Sequence, residues 1–381
     1  MALSQSAVAP EVATIPALRR RPWPIRNVIL KFHLYLGIVG FLLIVVLGLT
    51  GAVLAFEDEL TNWLSRDLTH VQSTPQQAPL GDILTSAQNL YPGYRVIAVD
   101  MPVTDDRAFD LLLAPLKASD GPRLRIFADP HTGQIRGECG SRCSALATIQ
   151  KLHTSLMLKR PWSLVVGYAT ALLLFMAASG IYLWWKRKIF QLRRRQGFWR
   201  FNFDVHHALG FYLLPLVIVI AVTGILLMFR WPKSLLLKLN PPGKSEVRLD
   251  RPTSTVVAGA RPLDIDSQVR AAVAAMPGMR VRSFSPALRP KDPSMIMMSS
   301  TEEKAERVHV VFVDQFSGKV LRVWEPDQNP GLGTRILSYT LLLHTGRIAG
   351  WFGQVVMCLV SLSIAALAAS GVLIWVRRAF I

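Results

Sequence analysis

The chain has 381 residues, 51% hydrophobic and 18% charged, with a formal net charge of +18. So basic a chain raises the question of nucleic acid, but its apolar residues are gathered into long blocks. Residues 32–56, 161–185, 205–229 and 348–376 contain no Asp, Glu, Lys or Arg, and about 20 apolar residues already span a bilayer. Disorder, a disulfide-dense scaffold and an ordinary cytosolic domain are excluded. The partner implied is the lipid bilayer, with no nucleic acid.

In chain order, residues 1–26 form a cytoplasmic tail whose first 18 residues, poor in aromatics, are expected to be disordered. The first span, 27–56, is too long and too far from the start for a cleaved signal peptide, whose apolar core is about 7–15 residues. An outside domain follows at 57–143. The second span, 144–186, has an interfacial start and leads into a basic cytoplasmic loop at 187–203. The third span, 204–230, precedes a second outside domain at 231–333. The fourth span and a short cytoplasmic end occupy 334–381. Arg19, Arg20, Arg21, Arg26, Lys31, the run from Lys186 to Arg200 and the pair Arg377–Arg378 place +12 of the +18 on the short flanks. Short Lys/Arg-rich flanks stay in the cytoplasm, so both termini are predicted inside.

The chain repeats itself, and internal repeats constrain a fold more than single motifs do. His33-Leu-Tyr-Leu-Gly37 followed by Thr50-Gly51 matches His206-His-Ala-Leu-Gly210 followed by Thr223-Gly224, with His and the second Gly 18 residues apart in both. His153 precedes Ser179-Gly180 as His344 precedes Ser370-Gly371, at 27 residues from His to Gly in both. Pro92-Gly93 leads to Asp129 as Pro277-Gly278 leads to Asp314, 37 residues from Pro to Asp in each, with Gly133 and Gly318 four further on. The expected fold is an α-helical membrane protein of four transmembrane helices. They belong to two tandem repeats of helix, small α+β periplasmic domain, helix.

Within each outside domain a helical pattern (81–90; 265–275) is closed by the Pro-Gly stop. Strand-like segments follow at 94–100, 109–114 and 123–128, and at 280–284, 294–298 and 308–313. The Asp-x-x-x-Gly after the last of these predicts a hairpin turn with Gly at positive φ.

Phe127-Ala-Asp-Pro-His-Thr-Gly133 and Phe312-Val-Asp-Gln-Phe-Ser-Gly318 resemble the end of PepSY domains. The spans, with Asp204-Val-His206, Leu152-His153 and Leu343-His344-Thr-Gly346, resemble the PepSY-associated transmembrane-helix family over nearly everything after residue 26. That family includes haem-containing ferric-siderophore reductases of the bacterial inner membrane. The resemblance therefore implies an oxidoreductase that passes electrons to a periplasmic Fe(III)-siderophore and releases Fe(II).

Five of the eight histidines mark span ends: His33, His153, His206, His207 and His344. His at a membrane interface has an ordinary explanation, yet ionisable residues in spans are functional by default. His33 and His206 share a cytoplasmic level beside Lys31 and Asp204, and His153 and His344 share a periplasmic level. Imidazoles from facing helices can hold haem. The expectation is two haems b, ligated by His33/His206 and His153/His344, with His207 the alternate to His206. Zinc is poorly served, since two His leave its shell incomplete. No Cys-x-x-Cys-His is present, so covalent haem is not expected. One geometric objection stands. His153 to Trp185 would measure about 48 Å as one straight helix, too long for two haems to exchange electrons, although Pro161 suggests a bend or a separate interfacial helix.

Cys139 and Cys143 could form a disulfide in an oxidising compartment or remain thiols, and Cys358 reads as a packing residue. Trp162, Trp184, Trp185, Trp231, Trp351 and Trp375 read as an aromatic belt, and Met295, Met297 and Met298 as core filling. His70, His131 and His309 read as solvated or structural. With no Walker A motif and no dinucleotide-binding fingerprint, electrons must come from a quinol or a cytoplasmic reductase. The rival readings are a non-enzymatic PepSY-type binding or regulatory membrane protein and an iron or siderophore permease.

Overall fold

The computed structural model describes residues 24–102, 104–117, 121–185, 196–241, 251–256, 259–300, 308–326 and 330–380. The expected disordered tail, Arg19 to Arg21, most of the basic loop (186–195) and the side chains of 141–144, Cys143 included, lie outside the described residues.

Among the described residues three helices are long and apolar enough to cross a membrane: α1 (Pro24–Leu54), α6 (Val165–Trp184, entered through a 3₁₀ turn at Trp162–Leu164) and α12 (Gly350–Phe380). A fourth stretch, read from sequence as one helix, is two. α7 (Phe198–Tyr212) and α8 (Leu214–Met228) meet at 64°. Pro215, in the first turn of α8, has no N–H to give the preceding turn, which accounts for the bend. Small residues let the helices close. A methyl group added at Gly48 of α1 would lie 2.8 Å from the Ser361 carbonyl oxygen of α12, the packing expected where lipid gives helices no hydrophobic reason to associate.

The second and fourth stretches also differ from their expected form. His153 lies on α5 (Gly140–Ser155), and His344 on α11 (Leu332–Thr345), each a helix separate from the span it precedes. α5 stops where Leu156 and Met157 take φ of 51° and 60°, and α11 stops at Gly346 with φ 81°. Left-handed residues of this kind end helices. Short helices follow two of these stretches: α2 (Glu57–Leu64) and α3 (Arg66–Thr69) after α1, and α9 (Arg230–Leu237) after α8.

The segments at 57–143 and 231–333, each expected to be a small α+β domain, pair their strands with one another. They build one antiparallel eight-stranded sheet of order β4-β3-β2-β1-β5-β6-β7-β8. Its strands are β1 (Tyr94–Asp100), β2 (Phe109–Pro115), β3 (Leu124–Ala128), β4 (Ile135–Glu138), β5 (Met279–Ser285), β6 (Ser294–Ser300), β7 (Val308–Val313) and β8 (Val320–Trp324). The seam is β1 on β5, with Val99 opposite Phe284 and Asp100 opposite Ser283. Pairing these strands removes two open edges that would otherwise recruit another chain. Helices α4 (Leu80–Leu90) and α10 (Ile265–Ala275) cover one face. Ile83, Leu84 and Ala87 from the first and Ala272 from the second share a single core with Val99, Leu111, Ile126, Phe284, Ile296 and Val311. The predicted turns are present. Asp129 Oδ1 accepts from the His131 and Thr132 amides, Asp314 Oδ1 from those of Phe316 and Ser317, and Gly133 and Gly318 have φ of 72° and 71°.

Candidate functional site

Each of the four histidines at duplicated positions sits in the same kind of seat, made by a hydroxyl residue followed by glycine on another helix. His33 Nδ1 lies 2.7 Å from Ser179 Oγ, and His206 Nδ1 2.7 Å from Ser370 Oγ. His153 Nδ1 lies 2.9 Å from Thr50 Oγ1, and His344 Nδ1 2.9 Å from Thr223 Oγ1. The following glycine leaves room for the ring. A methyl group at Gly51 would lie 3.0 Å from His153 Cε1, whereas at Gly224, Gly371 and Gly180 it would lie 3.4, 3.4 and 3.6 Å from Cε1 of His344, His206 and His33, an ordinary contact.

These seats suit one tautomer. Every hydroxyl has a backbone carbonyl of its own helix in reach: Ser179 to Phe175 at 2.8 Å, Ser370 to Leu367 at 3.0 Å, Thr50 to Val46 and Thr223 to Val219 at 2.6 Å. With the hydroxyl proton on that carbonyl, the oxygen accepts from the imidazole Nδ1–H and both contacts are hydrogen bonds. Each neutral ring then presents its Nε2 lone pair. That is how a metal-binding imidazole is held, its other nitrogen donating to a fixed partner.

The four rings form two groups at opposite ends of the bundle. Along α1, His33 and the Thr50 that holds His153 are 17 residues apart, about 25 Å at ~1.5 Å per residue. The 48 Å objection assumed that His153 extends the second span. Because α5 is a separate helix carrying His153 to Thr50, both levels fall within the roughly 30 Å of a hydrocarbon core.

At one level the His153 and His344 ring centroids are 6.3 Å apart with planes at 59°. The two rings are close enough that His153 and His344 could hold one metal-containing group between them. At the other level His33, His206 and His207 line a cavity of about 230 Å³ whose remaining wall is mostly apolar. His207 donates Nδ1–H to the Phe203 carbonyl at 2.9 Å and lacks a Ser-Gly seat; the seat singles out His206 as the match of His33. Among the described residues no three of His, Cys, Asp and Glu gather as a metal-ion site. The donors come in pairs, which suits a metal whose other ligands belong to its own macrocycle better than a bare ion.

Other expectations are placed as follows. Cys139 is disulfide-bonded and 3% exposed, and Cys358 is a free thiol. Trp162, Trp185, Trp231 and Trp351 are exposed, but Trp184 departs from the belt reading. It is buried, stacks on Phe211 at 4.0 Å and 14°, and lines the cavity. Met298 is core, with Met295 and Met297 only half-buried. His131 is buried, whereas His70 stands near Asp106 at 3.8 Å. Thr50, Ser179, Thr223 and Ser370 were visible in the sequence only as repeat markers; their use as seats was missed. The signal was there, since each precedes the glycine at a fixed offset from a histidine.

Long apolar helices, one antiparallel sheet and paired histidines held among the helices define a membrane protein. The family model for the PepSY-associated TM region matches residues 30–378, and the chain belongs to that family. Among curated proteins, none matches the chain at the level taken as significant.

Proposed function

We propose that the protein is an inner-membrane oxidoreductase of bacteria that carries electrons outward to a periplasmic Fe(III)-siderophore and releases Fe(II). The observation that supports this reading is the fourfold seat, which leaves four Nε2 atoms free in two groups at opposite ends of the bundle. In this proposal the chain crosses the membrane four times, as two copies of a helix–domain–helix unit. The bent α7–α8 pair is the third crossing, both termini are cytoplasmic and the sheet is periplasmic. His33 and His206 hold one haem b and His153 and His344 a second. Bound haem would supply the one-electron couple that a chain of ordinary side chains lacks.

The protein's own contribution is positional. The hydroxyl seats keep Nδ1 protonated and Nε2 deprotonated, so neither ring need lose a proton to bind iron. Burial of the seats excludes water from the ligands, and the apolar core between the levels, Ile44, Val217, Val360 and Ile364, separates the two sites. The sheet above the His153/His344 level would shape the site for the ferric chelate, and electrons would enter from a quinol or a cytoplasmic reductase.

The test is haem quantitation on the purified protein and on His33→Ala, His153→Ala, His206→Ala and His344→Ala, followed by anaerobic titration with ferric siderophores. Loss of one haem equivalent per disrupted pair, and oxidation of the reduced protein by a ferric chelate, are expected. Undiminished haem in all four variants would sink the ligand assignment. A colourless protein would favour a non-enzymatic binding role, and siderophore flux without reductant would favour a permease.

A further inference from the structure

The cavity at the His33/His206 level has a charged end that the ligand assignment does not use. Arg26 of α1 and Arg378 of α12 both line it, and no Asp or Glu does among the described residues. Two neighbouring cations sit beside partners: Arg200 Nε lies 3.1 Å from Asp204 Oδ1, and the Arg377 guanidinium lies 6.0 Å over the Trp199 ring. Arg26 and Arg378 have no carboxylate partner among the described residues, and Arg26 Nε is buried without a hydrogen bond. Buried donors are normally satisfied, so the buried Arg26 Nε calls for an acceptor, while Arg378 lines the same end of the cavity as an exposed residue.

The positions converge in depth. Arg26 precedes His33 by seven residues, and Arg378 follows Gly371, the glycine under the His206 ring, by seven. Each is about two helical turns, or ~10 Å, beyond its imidazole level. An occupant of this cavity meets imidazoles and apolar walls along its body and two guanidinium groups at one end. We infer that Arg26 and Arg378 bind the carboxylates of a flat, apolar cofactor whose body lies between His33 and His206, and so set its orientation. This rests on the haem reading above and adds to it the propionate end, which faces the end of the bundle where α1 begins and α12 finishes.

Haemin and its dimethyl ester, in which both carboxylates are masked, separate carboxylate recognition from ring ligation. Full-length protein stripped of cofactor is titrated with each in detergent, followed by absorbance. A His33→Ala arm assigns the binding step to this cavity. Charge-assisted hydrogen bonds predict that haemin binds this site about tenfold or more tightly than the ester. The Arg26→Gln/Arg378→Gln variant should bind both alike while keeping the bis-imidazole spectrum. Equal binding of haemin and ester by the wild-type protein overturns the inference and leaves the haem reading intact. So does a preference that survives in the double variant. A wild-type protein that takes up neither compound overturns the haem reading, and this inference with it. The ester comparison uses the unaltered chain, so a variant that folds poorly cannot decide the result.

Discussion

The two halves of the molecule agree where the histidines are and disagree where the sheet meets the bundle. Thr50, Ser179, Thr223 and Ser370 do the same work at matched positions, with bond lengths that agree pair by pair. The junction is built once. On the first half Arg125 of β3 pairs with Asp110 of β2, and Arg347 reaches Asp58 of α2 at 3.0 Å. Burial, with the Asp110 carboxylate alongside, pushes the Asp100 carboxyl up at the central seam. The same spacings that match the histidine seats and the turns put Val310, Met295, Trp231 and Leu156 at the counterparts of Arg125, Asp110, Asp58 and Arg347. A requirement met twice keeps its chemistry in both copies. A contact made once leaves the other copy free to become apolar.

The largest test of this comparison is at the seam. Val99 and Phe284 occupy the same place in the two halves, 185 residues apart, and they pair directly across β1 and β5. Both are fully buried. Truncating a buried Phe costs about 3–5 kcal/mol, so Phe284→Ala should lower the unfolding midpoint far more than Val99→Ala, which removes less volume. Both variants should unfold in one transition as followed by hydrogen exchange of β2 and β7. Separate transitions for the two strands would show that each half is its own domain after all.

Next in size are the seats. Removing an outer-shell partner of a metal-bound His typically costs about 10- to 100-fold in metal affinity. Ser179→Ala and Ser370→Ala should each weaken retention of the His33/His206 cofactor within that range, and by similar factors. Thr50→Val and Thr223→Val should do so for the His153/His344 site. Cofactor loss measured against a competing apoprotein would check both pairs. An effect confined to one member of a pair would break the equivalence of the halves.

The sequence revealed elements better than it revealed their partners. The charge-free blocks located the spans, and the segments expected at 94–100, 265–275 and 308–313 coincide with β1, α10 and β7. The Asp-x-x-x-Gly turns were legible because only certain residues accept that φ. β4 and β8 were not, being four and five residues long with no fully buried face to produce alternation. Nothing local encodes the β1–β5 seam, which joins residues some 185 apart and depends on tertiary packing. α5 was folded into the second span because its first turns are polar and its end runs toward an apolar block, which hides the break at Leu156. The structure groups His33 with His206 and His153 with His344, at opposite ends of the bundle. The distance between them was wrong until that break was known.

A smaller effect is expected where one half caps the other. α10 is capped from its own chain neighbourhood, Asp264 Oδ1 accepting from the Ser267 amide. α4 begins after Pro79, which offers no side-chain acceptor, and its Leu80 and Gly81 amides donate instead to Asp266 of α10 at 2.8 and 3.0 Å. Loss of an N-terminal cap costs about 1 kcal/mol. Asp266→Ala should therefore lower the melting temperature by a few degrees and increase amide exchange at the start of α4 more than anywhere in α10, although the altered residue lies on α10. Equal exchange at the two helix starts would count against the cross-cap.

The last difference between the halves is a single side chain in otherwise matching turns. His131 stands where the second copy has Phe316. It is 8% exposed, with Nδ1 3.0 Å from the Gln76 carbonyl oxygen and Nε2 2.8 Å from that of Asp105. Both partners only accept, so keeping both contacts as hydrogen bonds requires a proton on each ring nitrogen. The hydrogen bond to Asp105 leads the forces raising its pKa above the ordinary 6.5, helped by the Gln76 carbonyl and the Asp129 and Asp105 carboxylates against the opposing effect of burial. A folded pKa above the unfolded one contributes stability that is fully present below pH 6.5 and is lost as pH rises through the folded value. Melting temperatures of wild type and His131→Phe across the neutral range should therefore converge from the acid side, the wild type losing its advantage as the ring deprotonates. A difference that does not change with pH would mean that one carbonyl contact is not a hydrogen bond and the ring is neutral. His131 would then be, like Phe316, a space-filling residue in a turn that the two halves share.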